Sequence, residues 1–298
     1  MEAVEKLERS LGIEIHFNWF FRSDLQMEKA YGDAAWPFKA WKDLVLTIID
    51  RQDELGWHPH LWRLLEDGGS WFQETEDADY MVSCMRRGFE SIPRELRPRA
   101  ARTGWDFHNA VTMKCLSDLG IVADLSALPG ISSKGAFDAR SGRYMVVRDW
   151  TGAPDHPYFP SGADPRKPAR AAAERLGVLE IPVSTYPLPP ALRLAKGVRS
   201  LVRGKGKRLV PSEPYVTRSR MLFKAALEHH LTRRDAVEVP FVAEFHADEL
   251  LHERGDYSIR NVLENISLAV SLYGKAGMIP RFKLAGEVAD DIRKRLGE

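Results

Sequence analysis

Apolar positions recur along this chain in two rhythms, and the switches between them mark out its elements. Val4, Leu7 and Leu11 fall at helical spacing, and Gly12 follows where a helix would stop. Residues 13–21 (IEIHFNWFF) are dense in β-branched and aromatic side chains and read as a buried strand. Trp41, Leu44, Val45, Ile48 and Ile49 form a helical stripe within 39–55, a helix that Gly56 is expected to end. Tyr80, Met81, Cys84, Met85 and Phe89 do the same for 77–91. Further helices are expected over 109–119, 217–230 and 258–274 and at the C-terminus. Strands are expected over 121–125, 143–148, 179–184, 240–246 and 278–282, with a short strand and loop over 99–105. Helices and strands alternate, which argues for a parallel α/β sheet or barrel. No fixed-period repeat or linker interrupts it, so one domain over 1–298 is expected. The stretch 126–168, rich in Gly, Pro, Asp and Ser, is expected to form a functional rim.

Within this frame, His58-Pro59-His60 is the first place where chemistry concentrates. Pro59 fixes its own φ and pushes His58 out of the helical region, so the triplet runs extended. Residues two apart in an extended chain project to one side, their α-carbons about two rises of roughly 3.3 Å apart. Two imidazoles so placed can converge on one metal ion at about 2 Å from each nitrogen. They can equally be turn histidines packing beside tryptophans. Composition narrows the classes. With 44% hydrophobic and 10% aromatic residues among 298, the chain can bury a large core, and a net charge of +1 argues for no nucleic-acid partner. Two cysteines, Cys84 and Cys115, make no disulfide framework. The charged N-terminus is no signal peptide, no apolar run approaches the roughly 20 residues of a membrane span, and a cytoplasmic setting is expected.

Two other expected strand ends carry suitable groups: Arg102-Thr103-Gly104-Trp105-Asp106-Phe107-His108-Asn109, and Phe241 to Leu251 with His246 closing an apolar run. Together with Glu54-Leu55-Gly56-Trp57-His58-Pro59-His60, with Asp149-Trp150, Ala153-Pro154 and Pro157-Tyr158-Phe159-Pro160, and with the strand Gly177 to Val183, they resemble the polysaccharide deacetylase family. This is the NodB-homology or carbohydrate esterase family 4 group, and the likeness is to its bacterial sugar-deacetylase branch. The motifs occur in the family's order and span the chain from Gly12 to about Glu287. The resemblance implies a distorted (β/α) barrel of the glycoside hydrolase/deacetylase type and metal-dependent hydrolysis of an N-acyl group on a sugar or polysaccharide. It implies His58 and His60 as ligands of a divalent ion, zinc in the first instance, and His246 as general acid toward the leaving amine. Arg102 would orient a carboxylate. Trp105, Trp150 and Tyr158 would stack on sugar faces.

The family's first motif, a strand ending in paired aspartates, has no counterpart here, since only Met1 precedes the first helix. The third protein ligand is therefore unidentified, with Asp106, His108 and His16 as substitutes. The expectation is a reading frame that begins upstream; the alternative is an inactive carbohydrate-binding or scaffold relative that has lost the metal. A third reading is a glycoside hydrolase whose paired carboxylates come from Asp106, Glu180, Asp248 and Glu249. Finally, 192–209 carries Arg193, Lys196, Arg199, Arg203, Lys205, Lys207 and Arg208 without an acid, with Leu194, Val198, Leu201 and Val202 on one helical face. This basic amphipathic insertion (190–210) can lie on an anionic membrane surface, which would suit a lipid-linked substrate at the inner face of the membrane. It can also be a solvated helix. Nothing in the sequence sets an oligomeric state.

Overall fold

A computed structural model describes residues 2–65, 69–138, 142–190, 211–233, 235–236, 238–253 and 255–297. The basic stretch 192–209 lies outside them. The elements run α1 (Glu2–Leu11), β1 (Asn18–Phe21), α2 (Leu25–Tyr31), α3 (Trp36–Ala40), α4 (Lys42–Asp50), β2 (Glu54–Trp57), β3 (Trp62–Leu64), β4 (Trp71–Gln73), α5 (Ala78–Ser91), β5 (Ala100–Ala101), α6 (Ala110–Asp118) and β6 (Ala123–Asp124). Then come β7 (Ser132–Lys134), β8 (Phe137–Asp138), β9 (Arg143–Tyr144), β10 (Val147–Asp149), β11 (Leu179–Glu180), α7 (Arg220–Leu231), α8 (Ile259–Lys275) and α9 (Ala285–Arg295). The chain divides into two compact units. One comprises Met1–Ile15, Leu128–Ile131 and Pro182–Phe282; the other, here the sheet unit, comprises His16–Ala127, Ser132–Ile181 and Lys283–Glu298.

The sheet unit is built on five parallel strands in the order β1-β2-β5-β6-β11. Two rows of register partners cross it, Phe20, Gly56, Ala100, Ala123, Leu179 and then Phe21, Trp57, Ala101, Asp124, Glu180. Small residues hold the middle of the first row because Phe20 lies across its neighbour. A Cβ built on Gly56 would sit 2.3 Å from the Phe20 ring. Gly56 is thus a strand residue and not the helix stop expected of it. The helix expected over 39–55 is two short ones. Pro37 opens α3, the backbone breaks at Trp41 (φ −108°, ψ 39°), and α4 ends at Asp50. Gln52 then turns left-handed (φ 59°), and buried Asp53 ties the start of β2 to β1 by accepting from the Phe17 amide (3.2 Å) and Trp19 Nε1 (2.9 Å). The expected rim at 126–168 contains two antiparallel pairs, β7 with β10 and β8 with β9.

The strand expected over 179–184 pairs only at Leu179–Glu180, since Ile181 donates the last ladder bond and Pro182 has no N–H to continue it. In the other unit, α7 packs with α8 and α8 with α1. The strands expected over 240–246 and 278–282 do not form. Val242 and Glu244 exchange only scattered bonds with Ser184, Pro214 and Val216, because Pro214 and Pro240 supply no donors and no second strand lies ready among the described residues. Cys84 on α5 and Cys115 on α6 are both buried and free. Burial pushes the Cys84 thiol up to about 11 and raises that of Cys115. No helix among the described residues is long and apolar enough to cross a membrane.

Candidate active site at the strand ends of the sheet unit

Every strand of the five-stranded sheet ends in polar chemistry. Arg22 and Asp24 follow β1, His58 and His60 follow β2, and Arg102, Thr103 and Asp106 follow β5. Asp124 closes β6 with Ser126 beyond it, and Glu180 closes β11. In parallel α/β folds ligands bind at this end, where strand ends converge and the loops are free to vary.

The two histidines do project to one side, as Pro59 dictates. Nε2 of His60 stands 3.1 Å from Nε2 of His58, with the rings edge to face. His58 Nδ1 lies 2.6 Å from the Arg102 carbonyl, which can only accept, so Nδ1 carries the proton and Nε2 is bare. Burial pushes the His58 imidazole down to about 4, aided by the positive charges of Arg102 and Arg22. Burial and then His58 itself hold His60 well below the ordinary histidine range. Both rings are neutral at physiological pH; in this contact His60 Nε2–H donates to the bare Nε2 of His58, and His60 in its other tautomer turns a lone pair to the same point. Two nitrogens each about 2.0–2.1 Å from a tetrahedral zinc ion stand about 3.3 Å apart, so the observed spacing fits two positions of one coordination sphere. Among the described residues no third His, Cys, Asp or Glu completes such a group. Asp24 is committed elsewhere. It caps α2 through the Met27 amide (3.0 Å) and takes two bonds of 2.9 Å from Arg22.

Gly104 is what gives His60 its place. A Cβ there would fall 2.3–2.5 Å from three atoms of the His60 ring, while the ring's far side faces Trp62 in a parallel stack at 5.9 Å. Gly104→Ala should therefore displace the His60 ring and shift its imidazole NMR resonances, with the far-UV circular dichroism unchanged. Unmoved His60 resonances in that variant would show that Gly104 does not set the ring position.

Arg102 and Arg148 hold Asp106 from both sides, at 2.8 Å to Oδ1 and 2.6 Å to Oδ2. The loop that brings Asp106 there is strained: Trp105 and Asp106 are both left-handed, at φ 57° and 55°. Such conformations cost of order 1–3 kcal/mol each and persist where surrounding contacts impose them. Here the imposing contacts are the two guanidinium groups and Trp150 Nε1, which donates to the Asp106 carbonyl at 2.7 Å.

The strand pairing sets Asp124 and Glu180 side by side, and both are fully buried. Burial and the neighbouring Asp124 raise Glu180 well above the ordinary glutamate range. Asp124, although burial opposes it, is held below its ordinary value by His108, Glu180 and Ser126. The two carboxyls are thus pushed apart, Glu180 toward its protonated form and Asp124 toward its ionised one. Ser126 Oγ donates to Asp124 (2.9 Å), the Ala127 amide donates to Glu180 (2.8 Å), and His108 Nε2 lies 3.2 Å from Asp124.

Several expected residues fall elsewhere. Trp105 is half exposed at the rim, but Trp150 (1% exposed) and Tyr158 (5%) are core residues. With Trp150 bonded to Asp106 and the Tyr158 hydroxyl to the Pro165 carbonyl, neither offers a face to a sugar. His16 lies beside Asp53, before β1, at the opposite end of the sheet. His246 belongs to the other unit. There its ring is exposed, 3.7 Å from Glu249, and precedes the turn Ala247–Leu251. Sequence reading passed over Asp24, which signals only a helix cap, and Asp124, an acid inside an apolar strand pattern.

No family model matches the sequence, and no curated protein matches it. Among solved structures, a candidate glycoside hydrolase/deacetylase from Parabacteroides distasonis is similar at a TM-score of 0.56 and 13% identity, covering 98% of this chain. The chain spans 64% of that chain's length. A candidate polysaccharide deacetylase from Mycobacterium smegmatis matches at a TM-score of 0.48 and 14% identity, over 99% of this chain and 77% of that one. The chain is an α/β protein whose fold is that of the first of these structures.

Proposed function

We propose that this chain is a carbohydrate hydrolase that removes an N-acyl group from a sugar, on a barrel-type scaffold, with His58 and His60 as two ligands of a divalent ion, zinc in the first instance. The observation that carries the reading is the pair of neutral imidazole nitrogens 3.1 Å apart beyond β2. The fold shared with a protein described as a glycoside hydrolase/deacetylase supports it. When bound, such an ion supplies a Lewis acid that lowers the pKa of water and polarises an acyl oxygen. The chain's own residues do the rest. The Arg102 carbonyl fixes the His58 tautomer, Gly104 makes room for His60, and buried Asp106, clamped by two arginines, holds the loop that carries both Gly104 and exposed Trp105. Exposed Trp105 offers the one rim ring of the expected three. The glycosidase reading finds less support in the paired carboxyls. Asp124 and Glu180 are within hydrogen-bond reach of each other, whereas glycosidase pairs stand about 5 Å or more apart to admit the sugar.

Metal content decides between this reading and an inactive relative. The purified chain, dialysed against zinc and then against buffer, should retain about one ion per molecule and release acetate from N-acetylated chito-oligosaccharides. The double substitution His58→Ala, His60→Ala should lose both and keep its melting temperature. A wild-type chain without ion, or a double variant with full metal content, rejects the proposal.

A further inference from the structure

A second group of residues, wholly within the other unit, is set out like a binding site. Arg218 lies between two tyrosine rings, its guanidinium carbon 5.0 Å from the Tyr215 centroid and 5.1 Å from that of Tyr257. The two rings meet edge to face at 6.0 Å. Arg218 Nε donates to the Tyr257 hydroxyl at 2.7 Å, which spends the inner edge of the fork. Among the described residues, the two terminal nitrogens have no partner. The backbone beneath is tied down to an unusual degree. Fully buried Asn265 donates to the carbonyls of Val216 and Arg218, both at 2.8 Å, and Asn261 donates to that of Thr217 at 2.7 Å. Three consecutive carbonyls are thus held by two side-chain amides of α8. Tyr257 stands at φ 64°, a left-handed conformation that a bulky residue adopts only where contacts impose it. On the far side of Tyr215 the exposed His246 ring lies 5.9 Å away, tilted 36°. Glu249 is already engaged by the Thr217 hydroxyl (2.6 Å) and the His246 amide (3.1 Å).

We infer that this row, His246, Tyr215, Arg218 and Tyr257, is a recognition site for an oxyanion carried on a sugar, a carboxylate or a phosphate. A guanidinium whose outer edge presents two parallel N–H groups matches the two oxygens of either anion. Flanking aromatic rings suit a pyranose face and keep the arginine from collapsing onto the surface. Prior fixation of its backbone lowers the entropy lost on binding. The inference rests on the carbohydrate reading for the sugar, and on the Arg218 geometry alone for the anion.

Glucuronate, glucose 1-phosphate and uncharged glucose, titrated into the full chain by calorimetry or ligand-observed NMR, test it. At least one charged sugar should bind at least tenfold tighter than glucose, and which one does identifies the anion. Arg218→Ala should remove that preference at least tenfold. Arg218→Lys, which keeps the charge and the fold but loses the fork, should lose several-fold. His58→Ala, His60→Ala should keep the preference intact while losing metal, so the two proposals fail separately. Equal binding of all three sugars overturns the inference. So does an Arg218→Lys variant with a wild-type preference, even where Arg218→Ala is too unstable to assay.

Discussion

Glu74→Ala is expected to lower the unfolding free energy by about 3 kcal/mol at pH 7, near the lower bound for removing one partner of a buried ion pair. Glu74 follows β4 with its side chain wholly buried. One carboxylate oxygen accepts from the amides of Thr75, Glu76 and Asp77 at 3.0–3.1 Å and from Arg143 at 2.7 Å; the other accepts from Arg63 at 3.0 Å. The two arginines are partly exposed and can rehydrate, which keeps the loss from being larger. Burial acts to raise the Glu74 carboxyl, but the amides and guanidinium groups together bring it down to about 2, from an ordinary 4.5. A depressed carboxyl stabilises the fold above its unfolded value and ceases to as pH falls through the folded one. The gap between wild type and variant in urea unfolding should thus be full above pH 4.5 and close progressively toward pH 2. A gap independent of pH would mean that the charge of Glu74 is not what holds the hairpin β3–β4 to Arg143.

Glu180→Gln should act in the opposite direction and stabilise the chain. The Glu180 carboxyl is raised, so its contribution is intact below the unfolded value of 4.5 and falls as pH rises toward the folded one, by about 1.4 kcal/mol per pH unit. Glutamine keeps the shape, keeps an oxygen for the Ala127 amide and keeps a donor for Asp124, but never has to bury a charge. The two proteins should match in stability at pH 4 and diverge above it, the variant holding level while wild type declines. If both decline alike up to pH 8, Glu180 is ionised in the fold and the two carboxyls are not pushed apart. Asp124→Asn is the informative contrast. It removes the ionised member beside which His108 and Ser126 sit, and should destabilise at every pH above about 4.

The sequence carried the local halves of these arrangements and little of their assembly. Pro59 between two histidines dictated that the rings share a side, and they do. The apolar runs around Ala123 and after Gly177 announced two strands. Which residue of one faces which residue of the other was not legible, because register depends on the long connection 125–178 with its two antiparallel pairs, and so the Asp124–Glu180 pair stayed hidden. Gly56 was misread for a similar reason. A glycine after an apolar stripe looks like a helix stop, and only the strand partner, with Phe20 leaning across, explains it. The family resemblance puts Trp150 and Tyr158 on the rim as sugar platforms. Both rings are buried and use their polar atoms inward, a choice set by Asp106 and Pro165 and invisible in composition. In the first unit the proline-rich surroundings of 182–216 and Pro240 prevented the strands that apolar content alone suggested. His246 consequently belongs to a short turn rather than to a strand end.

The two shielded sulfurs have a practical corollary. At neutral pH neither Cys84 nor Cys115 presents a thiolate to solvent, so thiol-directed reagents find nothing to attack on an intact molecule. Each labelling event then records a moment when the packing over α5 or α6 has opened, and the chain carries its own clock for opening.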